Sequence, residues 1–232
     1  MSNTEFETYL YISSEKLIIL SKSNTDKEYF FKEKFIFDNL KKNLDLELLN
    51  QFLSENIFKI EKNINGFIKN INLIIENNFL EIKISIKKDN YDKIMDKKIL
   101  NYSLGDAKRQ VKENYNNHEI IHFLVERYFI NDQAYDYFPL NKKADNLIID
   151  LNFLFLSKKL IKDLEQILKN YQISINKIVS ADYIENYFED DNSDIFSNCQ
   201  RIIEGINQNE VLLIAKNQKK LGFFERFFHL FS

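Results

Sequence analysis

The run His118-Glu119-Ile120-Ile121-His122 has the residue types and spacing of a known catalytic arrangement. In the H-E-x-x-H signature two imidazoles one helical turn apart bind zinc, and the glutamate between them activates a water molecule. That chemistry needs a helix. Here the run continues through Phe123, Leu124, Val125, Tyr128, Phe129 and Ile130 and closes at Asn131 and Asp132, which predicts a buried strand over 120–130. Four residues on a strand span about 13 Å, too far for two histidines to share a metal. A zinc-dependent hydrolase using His118 and His122 therefore stands only as an alternative, since His229 alone remains as a third histidine. No Ser/His/Asp or Cys/His constellation, recognisable carboxylate pair or phosphate loop is legible elsewhere. The expectation is a non-enzyme with no catalytic residue, no cofactor and no metal.

The surrounding elements follow from periodicity and punctuation. Tyr9 to Ile12 and Leu17 to Leu20 read as strands around the turn Ser13-Ser14-Glu15-Lys16, and Tyr29 to Phe37 as a third. Leu44 to Ile64 reads as an amphipathic helix with Leu49, Phe52, Leu53, Ile57, Ile60 and Ile64 on one face, ended by Gly66. Leu73 to Ile75 and Leu80 to Ile86 are strands, the second alternating. Ser103-Leu104-Gly105-Asp106 reads as a capping signal for a helix to about Tyr115. Beyond Pro139 come a strand over Leu147 to Leu156, a helix capped by Ser157, and a strand over Ile173 to Val179. A short helix around Ile195 to Ile203 follows an acidic run at 189–194.

Composition narrows the class. Hydrophobic residues make up 44% of the 232, enough for a sizeable core, and the net charge of -3 is spread among interspersed acids and bases. No basic field points to nucleic acid. The single Cys199 forms no internal disulfide, and the acidic start lacks the pattern of a signal peptide, so a cytoplasmic location is expected. No apolar run reaches the roughly 20 residues that cross a bilayer, which leaves peripheral contact as the expected mode of membrane attachment.

The stretch around His122, with Tyr128, Ile130 and Asp132, then Phe138 and Pro139, resembles the corresponding stretch of the bacterial actin-like cell-division protein FtsA. The helix from Lys158 and the segment Ile173 to Asp182 look like that family's next helix and the strand leading out of its subdomain 1C. The resemblance covers about the first four fifths of the chain and the tail. It implies an α+β fold: a partial actin-like (ribonuclease H-like) 1A unit at 1–70, then a β-α-β-β-α-β 1C-like (SHS2) subdomain at 71–184. An acidic linker with a short helix at 185–218 and an amphipathic helix at 219–232 complete it. The family's first turn carries an Asp and a Gly that hold nucleotide phosphate and magnesium, and Ser13 to Lys16 has neither. Its second phosphate loop and adenosine site have no counterpart either.

The tail is the second informative stretch. Placed on a helix, Leu221, Phe223, Phe224, Phe227, Phe228, Leu230 and Phe231 share one side, opposite Gly222, Glu225, Arg226 and His229, with Lys219 and Lys220 at its start. An aromatic face beside Lys219, Lys220 and Arg226 suits the headgroup boundary of an anionic membrane. It also looks like the C-terminal membrane-targeting helix of FtsA. The resemblance implies an adaptor on the cytoplasmic face of the inner membrane, with FtsZ or later septal proteins and anionic lipids as partners. An actin-like pilus assembly protein is a further alternative.

Overall fold

The computed structural model describes residues 6–23, 29–37, 44–191 and 193–211. In chain order its elements begin with strands β1 (Phe6–Ile12), β2 (Lys16–Ser23) and β3 (Tyr29–Ile36), helix α1 (Leu46–Ile64) and strand β4 (Asn70–Ile75). Next come β5 (Leu80–Ile94), α2 (Lys97–Asn114), β6 (His118–Ile130), β7 (Gln133–Tyr135) and β8 (Lys143–Ser157). The last are α3 (Lys158–Lys169), β9 (Ser174–Ser180), α4 (Ala181–Tyr187) and α5 (Ile195–Ile203). They form two units, one from 1–79 with 156–206 and one from 80–155 with the segment after 206.

The first unit is built on a mixed sheet of order β3-β2-β1-β4-β9. β1, β2 and β3 form an antiparallel meander, and β4 and β9 add parallel to β1 and to each other. Parallel strands buried on both faces carry continuous apolar runs. Leu10, Ile12, Ile71, Leu73, Ile74 and Ile75 are fully buried accordingly. α1 buries Leu49, Phe52, Leu53, Ile57 and Ile60, as its spacing predicts. Asp45 caps it by accepting the Leu48 N–H, and Asn65, in the left-handed region at φ 49°, ends it one residue before the expected Gly66. Asparagine tolerates that conformation better than other side-chain-bearing residues. The chain crosses through α1 to β4 and through α3 to β9. With this mixed sheet beside its helices the fold is α+β.

The second unit holds an antiparallel sheet of order β5-β8-β6-β7. β5 and β8 pair from Leu80↔Phe155 to Asp89↔Asn146, then shift register and resume at Lys93↔Ala144. β6 and β7 join through Asn131 and Asp132, both at positive φ, the backbone a two-residue hairpin requires. Leu147, Ile149, Leu151, Phe153 and Phe155 form the floor of the core, each at most 1% exposed, and Phe123 stacks on Phe153 at 4.3 Å. Leu104, Ala107 and Val111 of α2 pack into the same cluster.

The expected boundaries at 70 and 184 are corrected by the sheets. Asn72 to Ile75 pair with β1, and β9 pairs with β4, so these strands belong to the first sheet and not to a 1C-like one. The second unit is inserted between β4 and α3. The stretch 185–218, expected as an acidic linker with a short helix, holds the end of α4 and, as α5, the helix expected at Ile195 to Ile203, both in the first unit. α5 buries Phe196, Cys199 and Ile202, and Phe196 meets the Tyr9 ring edge-on at 6.1 Å. The acidic residues act locally there. Asp194 caps α5 through the N–H groups of Phe196 and Ser197, and Asp191 holds Arg201, whose guanidinium lies 4.3 Å over the Phe188 ring.

Candidate functional site

Ligands of open α/β sheets bind outside the carboxyl ends of the parallel strands, which here means the turn after β1 and its neighbours after β4 and β9. In that turn Ser13 is fully buried, and its Oγ accepts the N–H groups of Glu15 at 3.1 Å and Lys16 at 3.0 Å. The Ser13 N–H donates in turn to the Lys16 carbonyl at 3.0 Å. A phosphate cradle presents such N–H groups outward to an anion. Here a side chain of the turn itself has taken two of them, and the exposed Glu15 adds negative charge. The adjacent strand ends are acidic as well. Glu76 accepts the Tyr11 hydroxyl at 2.7 Å, and Asp182 accepts the Asn77 N–H at 3.2 Å. Burial, reinforced by Glu76, pushes the Tyr11 phenol above its ordinary range. These residues do not fit a nucleotide triphosphate.

His118 and His122 lie on β6, the strand that the residues around them predict. Their rings have different neighbours. His118 sits edge-on to Phe155 with 6.5 Å between ring centres. His122 is 3% exposed, with Nδ1 2.7 Å from Oε1 of Glu210, itself 8% exposed. No group of three or more His, Cys, Asp or Glu arranged to hold a metal occurs among the described residues.

Glu210 is the residue that sequence reasoning missed. It arrives with the segment 207–211, which lies along the edge of β6. The Val125 N–H donates to the Asn209 carbonyl at 2.9 Å, the Val211 N–H to the Phe123 carbonyl at 2.7 Å, and Leu124 bridges Glu210 antiparallel. Asn209 Nδ2 also donates to the Asp136 carbonyl at 2.7 Å. Its only signal in the sequence is that turn residues Gly205, Asn207 and Asn209 give way to an apolar run at Val211.

The expected membrane-binding residues Lys219, Lys220, Leu221, Phe223, Phe224, Arg226, Phe227, Phe228, Leu230 and Phe231 lie outside the described residues. Among those described, no helix is long and apolar enough to cross a membrane.

No family model matches the chain, and no curated protein matches it. Among the solved structures distantly similar to it are the following. The cytoplasmic domain of EpsL, an inner membrane component of the type II secretion system of Vibrio cholerae, is 5% identical over 78% of this chain and 59% of that one, with a TM-score of 0.41. The PilM–PilN type IV pilus biogenesis complex matches at 10% identity over 78% of this chain and 49% of that one, with a TM-score of 0.48. A Bacteroides thetaiotaomicron protein with an actin-like ATPase fold and unknown function is 12% identical over 81% of this chain and 57% of that one, at a TM-score of 0.34. The chain thus spans between about half and three fifths of each. At these identities and TM-scores the likeness identifies no particular family.

Proposed function

We propose that this chain is a non-enzymatic adaptor that attaches peripherally to the cytoplasmic face of the inner membrane and links division proteins, FtsZ or later septal proteins, to it. The observation that carries this reading is the first turn. An actin-like sheet is kept while Ser13 Oγ occupies the backbone donors of Glu15 and Lys16, so the fold serves as a scaffold where a nucleotide enzyme needs an anion cradle. Attachment rests on the composition of the tail. Burying one apolar side chain of this size contributes roughly 1.5 to 3 kcal/mol, and Phe223, Phe224, Phe227, Phe228 and Phe231 fall within the last ten residues. Lys219, Lys220 and Arg226 each add up to about 1 kcal/mol on an anionic surface.

The full chain should sediment with anionic vesicles. Phe224→Glu combined with Phe228→Glu should release it with the melting temperature nearly unchanged. A wild type that stays in the supernatant, together with a double variant that unfolds, assigns the tail to the core and removes the tether. Calorimetric titration with ATP and magnesium should show no complex, and a micromolar one overturns the non-enzymatic reading. Capture from native cells separates the partner classes: division proteins support the finer reading, whereas pilus components replace it.

A further inference from the structure

β5 stands at one end of its sheet, so among the described residues one side of its backbone has no strand beside it. Its core-facing row is left half open. Ile82, Ile84 and Ile86 are only partly buried against the core, whereas their partners on β8, Phe153, Leu151 and Ile149, are at most 1% exposed. Glu81, Lys83, Ser85 and Lys87 alternate with them and are exposed. Another strand laid along this edge would close the apolar row, since the pleat keeps the isoleucines on one face of both strands.

We propose that the occupant is a second copy of this chain, paired antiparallel through β5 about Ile84. The charges and the isoleucine row together select the partner and the register. A two-fold axis at Ile84 sets Ile82 opposite Ile86 and Glu81 opposite Lys87, each of them twice because the contact is isologous. Lys83 then faces Ser85. Moving the axis one residue on, to Ser85, sets Lys83 against Lys87 and Glu81 against Asp89; moving it one residue back sets Lys83 against itself. Both shifts oppose like charges. Among the described residues Lys87 has no ion pair within its own chain, so its ammonium is open to a carboxylate from outside. Edge lysines usually blunt indiscriminate strand addition; axes at Ile82 or Ile86 also oppose unlike charges, but only the axis at Ile84 joins that complementarity to a row in which all three isoleucines face isoleucines.

The test is a charge swap on the full chain, read by light scattering and sedimentation equilibrium across a dilution series. The wild type should be a reversible dimer. Lys87→Glu, which sets carboxylates opposite one another at two symmetric positions, should weaken the dimer about tenfold. Adding Glu81→Lys should restore it. Melting curves of each variant check the fold, because Glu81 also contacts Lys83 and Asn152 within its own chain. A wild type that is monomeric throughout, a dimer indifferent to Lys87→Glu, or a folded double variant without recovery overturns the proposal.

Discussion

At Ser13 a single hydroxyl decides how a turn is used. By accepting the N–H groups of Glu15 and Lys16 it closes the hairpin locally, as serine side chains do in turns, and withdraws those donors from a ligand. His122 and Glu210 make a second local decision across 88 residues of sequence. Both side chains are buried, so removing either costs the other a buried hydrogen bond. Glu210→Leu and His122→Phe are each expected to cost about 1 to 3 kcal/mol. The double variant should cost clearly less than the sum, because the bond the two share is lost only once. Chemical denaturation of the four proteins measures this. Strict additivity would mean that the two side chains do not stabilise each other.

Among the elements, α2 departs most from its expected start. Ser103 to Asp106 reads as a cap, yet the helix begins at Lys97, where Asp96 accepts the Ile99 N–H at 2.7 Å. Ser103 is buried inside the helix, and Gly105 lies in its interior. A Cβ added at Gly105 meets nothing within 4 Å. Glycine there costs helix stability only through the freedom it has when unfolded. Gly105→Ala should therefore stabilise the protein by roughly 0.5 to 1 kcal/mol. A raised denaturation midpoint at unchanged slope confirms it, and a lowered one would show that the helix needs glycine at this point. The strands β5, β6 and β8 all outrun the apolar cores that announced them. Most of their extra residues are polar positions that the ladder holds in extended form, which hydrophobic pattern alone does not mark.

For the whole molecule, topology makes the second unit an insertion with adjacent ends. Leu80 pairs with Phe155, so the chain leaves the first unit and returns to it at neighbouring positions of one ladder. Replacing 81–154 with a short Gly-rich turn and ending the chain at 206 should yield a folded protein that keeps the five-stranded sheet. Cooperative melting and dispersed amide resonances would check it. A molten product would mean that the first unit depends on the second. The α+β class was implied by a resemblance, while the sequence by itself determined the buried strands at Tyr9–Ile12 and Leu147–Leu156, the core face of α1 and the strand under His118 and His122. These are set by local patterns of period 2 or 3.6 and by β-propensity. Tertiary structure alone decided that β4 and β9 join the first sheet, that α5 covers Tyr9, and that Glu210 reaches His122. Parallel pairing and buried polar partners bring together residues far apart in the chain, and no local periodicity records which strand lies beside which.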